Sequence, residues 1–227
     1  SGGFMVGGLS ATIGEASQLA DGVDGWGLGG VMLASEAVGV ATGLTQGCTP
    51  IGPIHRVTDS IENILITLDG EPALDVFKRD IGELLARDLR RVNGYIYAAL
   101  PVEGSDKRDY LVRNLTGIDE GNDVLAIGSM IRTGDQIMFC RRDHGDAVED
   151  MQRMLQDLKR RVGEQAIKAG IYVSCASRGP NQFGEGAREV EMIEEELGDF
   201  PLTGFFANGE ISFDRLYGHT GVLTLFL

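Results

Sequence analysis

The sequence predicts an α+β protein, with mixed β-sheets and three main helices packed on them. Three observations lead there. Glycine occurs 33 times in 227 residues and falls mostly singly between apolar runs, where it permits tight turns and close backbone approach. Short apolar stretches bounded by turn residues recur along the whole chain and read as strands. Three segments carry apolar residues at helical spacing over enough length to pack as helices. No internal repeat of short fixed period is visible.

The elements follow in order. "GWGLGGVMLAS" (25–35) and "AVGVATGLTQG" (37–47) read as neighbouring strands, and "RVTDSIENILITLDG" (56–70) as a hairpin whose second arm turns Ile64, Ile66 and Leu68 to one face. The first helix is expected across "EPALDVFKRDIGELLARDLRR" (71–91), with Pro72 in its first turn and Leu74, Phe77, Ile81, Leu84, Leu85 and Leu89 as its apolar stripe. Strands resume in "YIYAALP", in a hairpin over "RDYLVRNLTGIDEGNDVLAIG" turning at Asp119–Asp123, and in "GDQIMFCRRD". A second helix is expected near Asp146, with Glu149 as its capping-box partner and Val148, Met151, Met154, Leu155, Leu158 and Val162 inward. "GIYVSCASRG" is a buried strand ending in a loop. A third, acidic helix over "AREVEMIEEELG" buries Val190, Ile193 and Leu197 and stops at Gly198. "LTGFFANGEISF" and "HTGVLTLFL" close the chain as strands.

Composition excludes several function classes. The hydrophobic fraction of 43% is enough for a sizeable core. A formal charge of -14 repels phosphate backbones and anionic headgroups. The basic runs "KRD" (78–80), "RDLRR" (87–91) and "DLKRR" (157–161) interleave with acids as solvated helix faces do, so neither a nucleic-acid nor a membrane partner is expected. Cys48, Cys140 and Cys175 form no CxxC pair, which argues against a zinc knuckle or disulfide framework and fits a reducing cytoplasm. No window approaches the ~18 apolar residues of a membrane span.

Read in order, "GGLSA" (7–11), "QGCTPIGP" (46–53) followed by Val57-Thr58, "LDGEPAL" (68–74), "GDQIMFCRRD", "YVSCASRG", "LTGFFANGEI" and "HTGVLTLF" resemble the FIST family. "GGLS" or "LDG" alone is a weak signal, but the ordered set is specific and covers nearly the whole chain. The resemblance implies the end part of a FIST N-terminal module at 1–92 and a FIST C-terminal module at 93–227. Members carry a longer stretch before "GGLS", so the N-terminal module is expected to be partial. Where the family often has His-Asn before its last strand, this chain has His219-Thr220. The resemblance further implies an intracellular sensory domain of signal transduction, with amino acids among the proposed ligands. Its implied partner is a signalling protein such as a kinase or cyclic-nucleotide enzyme. Some relatives resemble haem-based nitric-oxide sensors.

Five residues are the candidate ligand contacts. Cys48 stands between Gly47 and Pro50 at a strand-ending bend and is either a pocket wall or a buried structural thiol; a nucleophile would need an activating neighbour, which no spacing supplies. Cys175 and Arg178 lie where a strand's carboxyl end leads into a helix, a common ligand position in α/β folds. Arg178 can fork two hydrogen bonds onto a carboxylate, or pair with Glu185 or Glu189. Glu210, inside an apolar strand, either faces water or accepts from a ligand amine, and Asn208 beside it offers both a donor and an acceptor. His55, His144 and His219 lack metal-site spacing; no cofactor is expected, although a b-type haem needs only one axial histidine and stays open.

The reading is therefore a cytoplasmic small-ligand sensor, with no reaction implied. Three alternatives are a haem-binding nitric-oxide sensor, an assembly module using the acidic helix at 185–197, and a self-processed or hydrolytic enzyme. In the last, Ser1 at a cleaved N-terminus would combine amine and hydroxyl as base and nucleophile.

Overall fold

The computed structural model describes residues 3–11, 18–20, 22–25, 27–34, 36–102 and 110–227. Ser1 lies outside them. The strands, in chain order, are β1 (Met5–Ser10), β2 (Gln18–Ala20), β3 (Val23–Gly25), β4 (Val40–Gln46), β5 (Cys48–Pro50), β6 (His55–Ile61), β7 (Ile64–Leu68), β8 (Glu71–Pro72), β9 (Ile96–Pro101), β10 (Tyr110–Asp119), β11 (Val124–Ile127), β12 (Gln136–Arg142), β13 (Ala169–Cys175), β14 (Leu202–Phe213), β15 (Arg215–Tyr217) and β16 (Thr220–Phe226). The helices are α1 (Ala73–Ile81), α2 (Glu83–Ala86), α3 (His144–Val162), α4 (Pro180–Phe183) and α5 (Arg188–Leu197). The mixed sheets with helices are those of an α+β fold.

The chain divides into two compact units, Cys48–Ala147 and the discontinuous Ser1–Gly47 with Val148–Leu227. In the first, strands run β11-β10-β9-β12-β6-β7-β8, and β11 also pairs with β7, which closes the sheet into a barrel. Alternation along its strands separates two clusters, because successive side chains point to opposite faces. Ile96, Ala98, Ile137 and Phe139 join α1's Leu74, Val76 and Phe77 in the main core. Tyr97, Ala99, Met138 and Cys140 face the other way and pack with Cys48, Tyr110 and Val112.

The second unit is an open sheet, β1-β14-β13-β16-β4, with β15 on β14. β13 and β14 are parallel, joined through α4 and α5, whereas β16 runs antiparallel to both β13 and β4. α3 lies close over β4: a Cβ at Gly43 would meet Met154 and Leu158. The far end of β4 is pinned to α3 as well. Asp150 Oδ2 accepts from the Thr45 hydroxyl at 3.0 Å and the Gln46 amide at 2.7 Å.

Several local expectations are corrected. The helix over 71–91 breaks at Gly82, whose φ of 79° and ψ of 161° lie outside helical space; α2 and a 3-10 turn at Leu89–Val92 follow, and Leu84 is left 70% exposed. In β7 the buried residues are Leu65 and Leu68, not Ile64, because the β6–β7 register shifts around Asp59. "GWGLGGVMLAS" gives no strand among its described residues beyond β3. The first turn of α3 is capped by Asp143, whose Oδ1 accepts from the Asp146 amide at 3.1 Å. α5 buries Glu189, Met192 and Ile193 and leaves Val190 exposed; Gly198 ends it at φ 86°.

Candidate functional site

The carboxyl end of β13 and the loop after it build a buried polar cluster in the open-sheet unit. Parallel pairing sets Cys175 beside Ala207 of β14, and antiparallel pairing sets Ser174 beside Gly221 of β16. The chain then turns through Ala176–Gly179, where Gly179 takes a φ of 51° that a side chain would resist.

Arg178 is fully buried. Its Nε donates to Glu189 Oε1 at 2.9 Å, and its guanidinium lies 4.8 Å from the Phe183 ring centroid. Nη1 reaches the His219 carbonyl at 3.5 Å. Glu189 is buried too, and collects the Tyr172 hydroxyl at 2.6 Å, the Ser174 hydroxyl at 3.1 Å and the Gly179 amide at 3.3 Å. This explains why α5 turns an acid inward: a buried guanidinium needs a charged partner. Burial opposes the Arg178 charge, yet Tyr172 and Glu189 outweigh it and hold the guanidinium protonated. Burial pushes the Tyr172 phenol well up, Arg178 opposing and Glu189 adding to it. Gln182 of α4 donates through Nε2 to the Gly47 carbonyl, which ties the "QGC" bend to the same loop.

On the neighbouring strand Glu210 is likewise fully buried. Its Oε2 accepts from the Thr220 hydroxyl at 2.7 Å and the Thr220 amide at 3.2 Å. Thr220 is thus a double donor to Glu210. Burial pushes this carboxyl above the usual carboxylate range, against the opposing pull of Thr220, the Cys175 thiol and the Arg178 charge. Cys175 Sγ lies 3.1 Å from Ser177 Oγ, which lies 2.9 Å from His219 Nδ1. Burial, with the charge of Glu210, pushes the Cys175 thiol up. A protonated, buried thiol is a poor nucleophile.

Two atoms of this cluster are unsatisfied: Arg178 Nη2 and Glu210 Oε1 are buried and make no hydrogen bond of normal geometry. They belong to oppositely charged side chains near enough for Arg178 to act on the ionisation of Glu210. An unmade bond to a buried charged group is costly, so such groups call for an explanation.

Of the five sequence candidates, Cys175, Arg178 and Glu210 come together here. Asn208 is on β14 but exposed. Cys48 belongs to the barrel unit, 4% exposed in the cluster with Tyr97 and Cys140, and its carbonyl accepts the Tyr110 hydroxyl. Cys140 is pushed far up by the adjacent Cys48 thiol and by burial. Sequence reasoning missed Tyr172, Ser174 and Ser177 as members of the cluster; strand alternation carries Tyr172 and Ser174 to one face, but nothing in the sequence marks that face as polar. It also missed His55, wedged between Asp69 at 2.7 Å on Nδ1 and Asp80 at 2.8 Å on Nε2. With both ring nitrogens bonded to carboxylates, His55 does not fit an axial haem ligand. No group of three or more His, Cys, Asp and Glu side chains among the described residues could hold a metal ion. None of the described helices is long and apolar enough to cross a membrane.

The chain is an α+β protein with an oppositely charged, incompletely satisfied pair of buried side chains beside the carboxyl end of β13. The family is definite: the FIST N domain matches residues 1–71 and the FIST C domain residues 73–212, and the chain belongs to the FIST family. It is similar to an uncharacterized protein of Mycobacterium tuberculosis strain H37Rv, 30% identical over 195 residues, covering 81% of this chain and 50% of the relative. An uncharacterized protein of Mycobacterium bovis is 32% identical over 198 residues, with 81% and 50% covered. An F-box/LRR-repeat protein of Arabidopsis thaliana is 25% identical over 195 residues, covering 82% of this chain and 35% of the relative. The chain spans half the length of the mycobacterial relatives it matches. FIST domains are regarded as sensory domains of signalling proteins.

Proposed function

We propose that this chain is the ligand-sensing part of a cytoplasmic signalling protein, and that its ligand is a small polar metabolite carrying both a carboxylate and an amine, as an amino acid does. The observation that carries the reading is the pair of unsatisfied buried atoms, a donor on Arg178 and an acceptor on Glu210. A carboxylate satisfies the first and an ammonium the second, each through a charge-assisted hydrogen bond.

Access requires the loop over Arg178 to open. Its covering helix, α4, is bracketed by Gly179 at φ 51° and Gly184 at φ 88°, two points where the backbone can rearrange at low cost. A ligand that satisfies both atoms binds the rearranged state better than the closed one, and only such differential affinity shifts a conformational equilibrium. The loop also carries Gln182 and, through it, the Gly47 end of β4, so its movement is the signal a kinase or cyclic-nucleotide enzyme would read.

The test is a thermal-shift screen of the folded protein against the amino acids. A ligand at a hundred times its dissociation constant adds about 2.7 kcal/mol. Stabilisation by at least one compound, abolished in Glu210→Gln, supports the proposal; no stabilisation by any, or an unchanged response in Glu210→Gln, refutes it.

A further inference from the structure

A second cleft, unrelated to the β13 cluster and independent of the reading above, opens in the barrel unit. It has a volume of about 310 Å³ and is walled by Ile51, Ile81, Leu85 and Ile96, with Asp80, Tyr95 and Arg141 as its polar groups. That volume is at the low end of cavities that hold small molecules, ~300–1,000 Å³. Asp80, at the end of α1, is the buried polar group in this wall, with its side chain only 5% exposed.

The carboxylate is held from behind. Its Oδ2 accepts from His55 Nε2 at 2.8 Å, while His55 Nδ1 donates to Asp69 at 2.7 Å. An imidazole that bonds carboxylates through both nitrogens does so as an imidazolium, since carboxylates only accept. The three groups therefore carry one net negative charge. Gly52, in the "TPIGP" bend, is what lets Asp80 sit there: a Cβ at that position would lie 2.5 Å from Asp80 Oδ2. Asp80 Oδ1 makes no hydrogen bond among the described residues, and Asp80 lines the cleft. At the rim, Arg141 leans toward Asp143, with Nη2 4.0 Å from its Oδ2, so its charge is partly answered outside the cleft.

We propose that this cleft binds a small molecule with an ammonium group on an aliphatic body, the ammonium on Asp80 Oδ1 and the body against Ile51, Ile81, Leu85 and Ile96. A buried carboxylate with a free oxygen asks for a charged donor, and Ile51, Ile81, Leu85 and Ile96 beside it give a short aliphatic chain a place to lie. Two sources offer this chemistry: a simple alkylamine, and an aliphatic amino acid whose carboxylate would reach Arg141.

The experiment is calorimetric titration of the whole protein with 3-methylbutylamine, leucine and 3-methylbutanoate. The amine binds saturably, the carboxylate does not, and Asp80→Asn weakens amine binding at least tenfold. Because Asp80→Asn also touches His55, Leu85→Trp provides a second variant; it fills the cleft from the partly exposed end of α2 and abolishes binding without altering the Asp69–His55–Asp80 chain. Leucine binding more than tenfold tighter than the amine, and reduced by Arg141→Ala, identifies the amino-acid source; equal or weaker binding identifies the simple amine. Equal binding of 3-methylbutanoate, no binding of either amine-bearing probe, or undiminished binding in both folded variants overturns the proposal. Glu210→Gln leaves 3-methylbutylamine binding unchanged, which separates the failure of this cleft from that of the β13 site.

Discussion

Replacing Arg178 with methionine is the sharpest structural test of the β13 cluster. Methionine keeps the aliphatic stem and removes the guanidinium, so the change isolates the charged head. What is lost is the 2.9 Å bond to Glu189 and the 4.8 Å stacking on Phe183. What is left is a buried carboxylate that retains Tyr172, Ser174 and the Gly179 amide as donors. Breaking a buried pair by removing one partner costs about 3–5 kcal/mol, and three surviving donors place this case near the lower figure. For a chain of this size about 3 kcal/mol corresponds to a fall of ~6–12 °C in melting temperature. Urea unfolding followed by circular dichroism measures it directly. Pairing Arg178→Met with Glu189→Gln removes the stranded charge, so the double variant recovers more than half of the loss. A single variant within ~0.5 kcal/mol of wild type, or a double variant less stable than either single one, would refute the assignment of Glu189 as the charge partner.

Three further outcomes follow from the same geometry. Burial lowers the pKa of His55, but the hydrogen bonds and charges of Asp69 and Asp80 outweigh it and leave it raised, while the Arg56 amide and then His55 hold Asp69 below the usual carboxylate range. The His55 contribution is thus fully present below its unfolded pKa of about 6.5 and is lost as pH rises through the folded value, whereas that of Asp69 is present above about 3.9 and is lost on acidification; the stability gap between wild type and His55→Gln, from urea midpoints, is largest near pH 5–6 and narrows above pH 7. Gly47→Ala drives a Cβ into the His219 carbonyl and toward Arg178, and overpacking of this kind costs about 1–3 kcal/mol, read as a lowered urea midpoint with unchanged slope. Finally, Cys48, Cys140 and Cys175 are all buried, so a thiol reagent titrates essentially none in the native protein and three in denaturant; rapid native labelling of Cys48 would reverse the view that its bend is structural.

How far the sequence revealed this molecule depends on the kind of force involved. Strands such as β9 and β12 were legible because local alternation and β-branched or aromatic content decide them. The break at Gly82 was not, since a single glycine inside an apolar helical period is tolerated at a cost of about 1 kcal/mol and need not end the helix. Leu65 replaced Ile64 in the core because the β6–β7 pairing skips Ile66, which moved the face. Within the site, Cys175 and Arg178 were marked by their place at a strand end, Glu210 by being a carboxylate inside an apolar strand, and Glu189 was visible as a local acid within reach. The Asp69–His55–Asp80 chain was invisible, because its members come from the start of β6, the turn after β7 and the end of α1, and only tertiary packing unites them. The "TQGCTPIGP" stretch shows both limits: its turn residues announced a bend, but the roles of Gly47 beside His219 and Gly52 beside Asp80 depend on chain segments far away in sequence.

The most direct measurement of the central claim is a two-dimensional amide NMR titration of the isotope-labelled protein with the amino acid that most raises its melting temperature. Saturable shifts are expected in residues 174–179, 208–210 and 219–220 and are absent in Glu210→Gln. Shifts confined to other residues, or none at saturating concentrations, would contradict that claim.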